Sequence, residues 1–407
     1  MRFLFVHQNF PGQFRHIARA LADDPQHEVV GIGETRFVKS ASGLHHRIRV
    51  LGYPTPKGSG PQTHPYLKDT ESQVRRGQQV LRAAMRLSRE GFVPDVVVAH
   101  PGWGETLFLR EAFPAARHIH YCEYLYHAKG GDIGFDPEFP IIIDDRLRTP
   151  LKNTTQLLGL LACDAGVAPT PWQRSRYPVE FQPRIRVVHE GIDTAVVRPD
   201  PQAVLEIEGQ VFRAGDEIVT YVARNLEPYR GFHCLMRALP RLQALRPGAR
   251  MLIVGGDGVS YGRALPPNET YRQRYSAEIT GQVDWSKIHF LGRLPYDRYL
   301  KVLQVSAVHV YLTYPFVLSC SMLEAMSAGC LVVGSATAPV QDVIQDGENG
   351  LLVDFFDRDA LAQKIAQALA HAQDFAPIRQ RARECVVQRY DRNTRCLPAW
   401  IELLTQG

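Results

Sequence analysis

The 407 residues predict an α/β protein made of two doubly wound, Rossmann-like domains. Three observations carry this. The chain opens as strand, helix, strand: Arg2 to His7, Phe14 to Leu21, His27 to Ile32. A second series of the same kind starts far downstream, with Ile218 to Ala223, Phe232 to Leu245 and Arg250 to Val254. Such alternation predicts parallel sheets with helices on both faces. A Pro- and charge-rich connector, Arg198 to Asp216, separates the two series, and the length suits two or three cores.

Composition narrows the class. Hydrophobic residues make 45% and charged residues 22% of the chain, as in an ordinary globular protein. No run approaches the ~18–20 apolar residues of a membrane span. MRFLFVHQNF is too short and polar for a secretory leader and reads as a first strand. Seven cysteines without a CxxC pair fit reduced thiols, hence a cytoplasmic location. The net charge of +5 is uneven: from Arg36 to Arg89, eleven Lys and Arg face only Asp69 and Glu71. Such a patch suits a phosphate-bearing acceptor or peripheral contact with an anionic membrane. A solvated helix face is the competing reading, and no nucleic-acid partner is expected.

In the first half, the loop after strand one puts Gly12 where a ligand can approach the backbone. Tyr53 to Tyr66 is a Gly- and Pro-rich loop, and Asp69 to Glu90 a basic helix. Pro94 to His100 is a strand with His100 at its carboxyl end, where open α/β sheets place ligands; a structural histidine is the alternative. Glu105, in the next turn, is an acceptor-side base or a helix N-terminal acid. His118 and His120 share a face of strand Arg117 to Cys122, but no third ligand has metal-site spacing, so no metal is expected. Glu123 to Phe139, with Tyr126, is an aromatic loop that can stack on an acceptor sugar, close as a lid, or simply pack. Helix Leu147 to Leu161, strand Asp164 to Ala168, a turn and helix from Pro169 to Tyr177, and strand Ile185 to Val188 lead to the turn HEGIDT.

In the second half, Arg224 and Arg230 straddle a strand end and a helix start. Two guanidinium forks there can grip a diphosphate; two surface arginines are the alternative. Gly255-Gly256-Asp257-Gly258 lacks dinucleotide-fingerprint spacing, so NAD is not expected. Strand Ile288 to Leu291 runs into Gly292-Arg293-Leu294-Pro295, then helix Tyr296 to Leu303. Asp357-Arg358-Asp359 looks like a DxD metal motif, but its place after a strand and before helix Ala360 to His371 argues for a cap. Helices Ala376 to Tyr390 and Arg392 to Thr405 close the chain.

The most informative stretch runs from Thr313 to Asp354. Strand Val305 to Leu312 precedes it. A helix capped by Ser319 or Ser321 ends at Gly329, strand Cys330 to Gly334 follows, and Asp346-Gly347 and Asn349-Gly350 turn into strand Leu351 to Val353. A helix starting at the carboxyl end of a parallel strand offers free N–H groups and a positive dipole end to phosphate. Glu324, one turn inside, can accept hydrogen bonds from ribose hydroxyls; a buried helix with a satisfied Glu is the bland alternative.

PFVLSCSMLEAMSAGCLVVGS and APVQDVIQDGENGLLVD resemble the donor-binding signature of glycosyltransferase family 4. The resemblance implies a GT-B fold, two Rossmann-like domains facing a central cleft: residues 1–198 on the acceptor side, joined by a terminal helix over 391–407, and residues 199–390 on the donor side. It implies a retaining, metal-independent transferase without a cofactor, moving a sugar from a nucleotide sugar to a sugar or lipid-linked acceptor, in cell-surface polysaccharide or glycoconjugate synthesis. Glu324 matches the family's ribose-binding glutamate. The family's other glutamate, eight positions earlier, falls on Phe316, so the sugar contact passes to the N–H groups of Val317, Leu318 and Ser319. By resemblance, Gly12 faces acceptor and donor phosphates, His100 lies near the reacting carbon, Arg224 and Arg230 hold the leaving diphosphate, and Gly292 and Leu294 meet the base. The EGID turn is similar to the family's hinge. A nucleotide-sugar epimerase or a non-catalytic binding relative are the rivals; the latter would be expected to lose Arg224, Arg230 or Glu324, and all three are present.

Overall fold

The computed structural model describes residues 1–40 and 43–406 as two compact units. The first comprises residues 1–191 and the segment from Arg392 onward; the second spans Ile192–Asp391. The first unit thus ends before the boundary expected at residue 198.

Seven parallel strands form the sheet of the first unit: β1 (Arg2–Val6), β2 (Glu28–Glu34), β3 (Ile48–Tyr53), β4 (Val96–Ala99), β5 (Arg117–Tyr121), β6 (Ala165–Ala168) and β7 (Ile185–Val187). Their order is β3-β2-β1-β4-β5-β6-β7, with Phe3 aligned to Val29 on one side and Val96 on the other. Strand β1 is buried on both faces, which is why it reads as an unbroken apolar run. Phe3 and Phe5 meet Phe14, Ile17, Trp400 and Leu403 on one face; Leu4 and Val6 meet Val30, Val80, Leu87 and Val97 on the other. The helix Leu397–Thr405 therefore completes a core begun by the first strand.

Two features of this unit depart from expectation. Strand β3 lies in a stretch, HHRIRVLGY, too rich in charge to read as a strand. The single helix expected from Leu147 to Leu161 is two, Ile143–Lys152 and Thr154–Ala162. The break falls at Asn153, whose side chain bonds the backbone N–H and carbonyl of Tyr126 at 2.9 and 2.8 Å.

In the second unit the connector is not irregular. It contains a hairpin, β8 (Val204–Ile207) and β9 (Gln210–Arg213), turned at Glu208 and Gly209, which have φ of 50° and 78°. Leu205 and Phe212 plug it into the core beside Ile218, Leu252 and Val302. The six-stranded parallel sheet contains β10 (Ile218–Asn225), β11 (Arg250–Gly256), β12 (Ile288–Gly292), β13 (Val308–Tyr311), β14 (Leu331–Ser335) and β15 (Leu351–Val353), ordered β12-β11-β10-β13-β14-β15. A helix at Tyr271–Glu278, capped by Thr270 and Gln273, follows the loop after β11 and was not expected. In each sheet the chain reverses direction of travel beside its first strand, between β1 and β4 and between β10 and β13. Open α/β sheets bind ligands at such switch points.

Candidate active site

At the β10/β13 switch point, helix Cys320–Ser327 starts where the sequence puts it. Ser319 caps it by accepting from the Ser321 N–H at 3.4 Å. Gly329, with φ of 86°, ends it; a side chain there would meet Pro199. The N–H groups of Val317 and Leu318 have no partner among the described residues. The third expected donor is spent: Ser319 N–H bonds the Tyr311 hydroxyl at 2.8 Å.

Arg230 is buried behind this helix tip. Its Nη1 donates to Thr313 Oγ1 at 2.8 Å, Val317 O at 3.0 Å and Tyr311 Oη at 3.2 Å. It shapes the loop before the helix and lends it positive charge. Arg224 is exposed, so the two arginines occupy different settings. Phe316 is only 5% exposed. It packs edge-on to Tyr229 and against Tyr261, with Arg230 over its ring at 6.0 Å. The position expected to meet the sugar therefore carries an aromatic packing residue.

Glu324 accepts from Tyr296 Oη at 2.9 Å and from Tyr299 Oη at 2.7 Å. Burial pushes its carboxyl up, and the two tyrosines pull it partly back. Each oxygen keeps a lone pair for a further donor. Gly292, with φ of 62°, ends β12, and half-buried Leu294 follows it. Arg293 between them reaches Asn225 Oδ1 at 3.0 Å. Sequence reasoning missed Glu227. Its buried carboxylate takes the N–H groups of Ser260, Tyr261 and Gly262 at 2.8–3.1 Å, pinning the loop that carries Tyr261. Asp357 caps helix Arg358–Ala370 through the Ala360 N–H at 2.8 Å, a capping role rather than a metal motif.

In the first unit three histidines repeat one device, two of them at the β1/β4 switch point. His7, His100 and His189 each follow a strand and accept through Nδ1 from the N–H two residues on, at 3.0, 3.0 and 2.9 Å. This fixes the ring proton on Nε2. Burial holds His7 down to about 3 and His189 to about 4, both neutral at pH 7. Gly12, with φ of 46°, lies on the His7 ring: a Cβ there would come within 2.6 Å of it. Gly12 is thus required by the histidine beneath it. His100 Nε2 faces Glu123 Oε2 at 3.2 Å, Gln13 Nε2 donates to Glu123 Oε1 at 2.9 Å, and Trp103 stacks on His100. Glu190, which takes the Tyr121 hydroxyl, is pushed up by burial to about 7.

One acceptor-side expectation changes. Glu105 is fully buried, 3.8 Å from Arg76 and near Tyr53, and burial pushes it up to about 7. It belongs to a buried network with Glu34 and is sealed from solvent. Tyr126 is half-buried, edge-on to Tyr124, with Lys152 over its ring. The basic stretch is partly neutralised: Arg36 and Arg76 pair with Glu34, Arg75 with Glu71, and Arg49 and Arg86 with Glu90. Glu34 and Glu90 lie just outside the stretch that looked so one-sided. Among the described residues, no helix is long and apolar enough to cross a membrane.

Residues 25–197 match the glycosyl transferase family 4 group, and residues 205–384 match glycosyl transferases group 1. The chain belongs to glycosyltransferase family 4. Within that family it is 30% identical over 212 residues to a D-inositol 3-phosphate glycosyltransferase of Acidothermus cellulolyticus, covering 49% of this chain and 44% of the relative. It is 28% identical over 214 residues to a GDP-mannose-dependent alpha-(1-6)-phosphatidylinositol monomannoside mannosyltransferase of Mycobacterium tuberculosis, covering 49% and 50%. The chain thus spans about half the length of these curated relatives. Two solved structures resemble it along its length. Sucrose-phosphate synthase from Thermosynechococcus elongatus has a TM-score of 0.75 at 19% identity, covering 100% of this chain and 98% of that one. Anabaena HepE in complex with UDP and glucose has a TM-score of 0.70 at 17% identity, covering 100% of both. With the two parallel-sheet units, these likenesses show the GT-B fold.

Proposed function

We propose that this family 4 chain is a retaining, metal-independent glycosyltransferase that moves a sugar from a nucleoside-diphosphate donor to a hydroxyl acceptor in glycoconjugate synthesis. One observation carries the reading. At the switch point of the second unit, a capped helix presents the free N–H groups of Val317 and Leu318, buried Arg230 backs them, and Glu324 lies one turn on. Amide donors, a dipole end and a guanidinium suit a diphosphate, and a carboxylate suits a ribose diol. Positive charge fixed there stabilises the leaving diphosphate as the sugar bond breaks. Retention and metal independence rest on the family resemblance. The UDP and glucose of the HepE complex support a nucleotide-sugar donor, and the relatives' names support a glycolipid setting.

The test is calorimetric titration with UDP, GDP, ADP and dTDP, with and without EDTA. Tight binding of one nucleotide, unchanged by EDTA, is expected and names the donor base. The matching α-linked sugar nucleotides then give an α-linked product by NMR. Binding of no nucleotide, or binding abolished by EDTA, overturns the reading.

A further inference from the structure

His100 has no ring nitrogen left for a ligand. Gly102 N–H occupies Nδ1 at 3.0 Å and the Nε2 proton points to Glu123 at 3.2 Å. Its side chain is 4% exposed, whereas that of Glu123, where it leads, is 28% exposed. Glu123 lies two residues past β5 and is fixed on three sides. Gln13 bonds Oε1 at 2.9 Å, His100 bonds Oε2, and the fully buried Gln173 holds its carbonyl at 2.6 Å. Burial alone would raise its carboxyl, but its interactions with His100, Gln13 and His7 together outweigh this and hold it below the usual carboxylate value.

An ionised carboxylate gripped by one donor per oxygen keeps lone pairs for two more. No Lys or Arg forms a hydrogen bond or ion pair with Glu123 among the described residues. A phosphorylated group brought here would meet like charge without a counter-ion, while a hydroxyl would find a ready acceptor. The geometry points to Glu123 as the residue of the first unit that binds the acceptor, taking an uncharged, hydroxyl-bearing sugar, with His100 and Gln13 as the positioning residues that hold it. This rests on the transferase reading above and reverses the anionic acceptor that the basic stretch suggests.

The experiment compares wild type, Glu123→Gln, Glu123→Asp and Gln13→Ala. Binding of neutral methyl glycosides and of the corresponding sugar 1-phosphates is followed by saturation-transfer NMR, and transfer to the same compounds by product NMR. Wild type is expected to bind neutral glycosides over phosphates. Glu123→Gln, which keeps the shape, should lose about tenfold in acceptor kcat/KM, mostly through KM, with nucleotide affinity within twofold of wild type. Glu123→Asp, keeping the charge, should fall between the two. Gln13→Ala removes a bond that keeps the carboxylate ionised, so the acidic limb of its acceptor pH profile should move to higher pH; a merely structural role would leave the limb in place. A preference for sugar phosphates, no binding of any neutral glycoside, or a Glu123→Gln variant within twofold of wild type overturns the proposal. Loss of nucleotide binding by wild type would instead overturn the transferase reading, and glycoside binding would still judge Glu123.

Discussion

The two units share one strand order around their switch points and put different chemistry there. Between β1 and β4 the first unit gathers histidines and carboxylates: His7, His100, Glu123 and, nearby, Glu190. Between β10 and β13 the second gathers a helix tip, a buried arginine and aromatic rings, with one carboxylate set apart on two tyrosines. The backbone fixes where a ligand can sit; side chains decide its charge. A site of amides and guanidinium suits an anion, and a site whose exposed member is a held carboxylate suits hydroxyl groups. Even the two carboxylates differ, Glu324 being raised by burial and Glu123 held down by its donors. Acidification should therefore weaken nucleotide binding before it affects the acceptor side.

The contrast can be broken at graded cost. The largest loss is expected from Arg230→Ala, which strips the donor from Thr313 and Val317 inside a buried network. Stability should fall by about 3 kcal/mol in urea unfolding, with nucleotide affinity down at least a hundredfold; retained affinity would place the anion elsewhere. Next comes Glu105→Gln. Glu105 is held up to about 7, against an ordinary value of 4.5. The folded chain keeps a proton there that the unfolded chain releases, so stability falls as pH rises through that window and the full penalty applies above it. The variant should gain about 2–3 kcal/mol at pH 8 and unfold with a flatter pH dependence. Destabilisation at pH 8 would mean that an ionised Glu105 pairs productively with Arg76. Glu324→Ala should weaken nucleotide binding about tenfold or somewhat more, and unchanged calorimetric affinity would remove it from the ribose role. The smallest effects separate its two tyrosines. Tyr299→Phe, at the half-buried partner, should cost about 1 kcal/mol, and Tyr296→Phe, at the exposed one, about half that or less.

Much of the fold was legible because both sheets are parallel and buried, so their strands stand out as apolar runs between turn signals. Helices Phe232–Leu245 and Ala376–Tyr390 and strand Leu351–Val353 fall on their expected residues. Elements that carry charge were not legible. Strand β3 ends its sheet with Arg47 just before it and Arg49 within it, and the β8–β9 hairpin hides among polar residues with only Glu208-Gly209 as its sign. The helix Cys320–Ser327 and its cap were readable from Ser319 and Gly329 because capping is local. What Phe316, Glu105 and His100 touch was not, since those partners arrive from strands and helices far along the chain. Glu123 looked like the first residue of a loop; its partners Gln13 and His100 lie 110 and 23 residues away. The histidine device had a local sign after all, a His at a strand end with a turn beginning two residues later.

Trp400 donates to the carbonyl of His189, and Arg117 holds the carbonyl of Leu403 from 286 residues away. In order of synthesis, the first unit is therefore unfinished until the whole second unit has left the ribosome. The apolar face of β1 waits for Trp400, Leu403 and Leu404 while two hundred intervening residues are made and folded. Loss of the segment from Leu397 onward should accordingly damage the unit farthest from it in sequence. Proteolysis of such a truncated chain should spare residues 192–391 and consume the first 191.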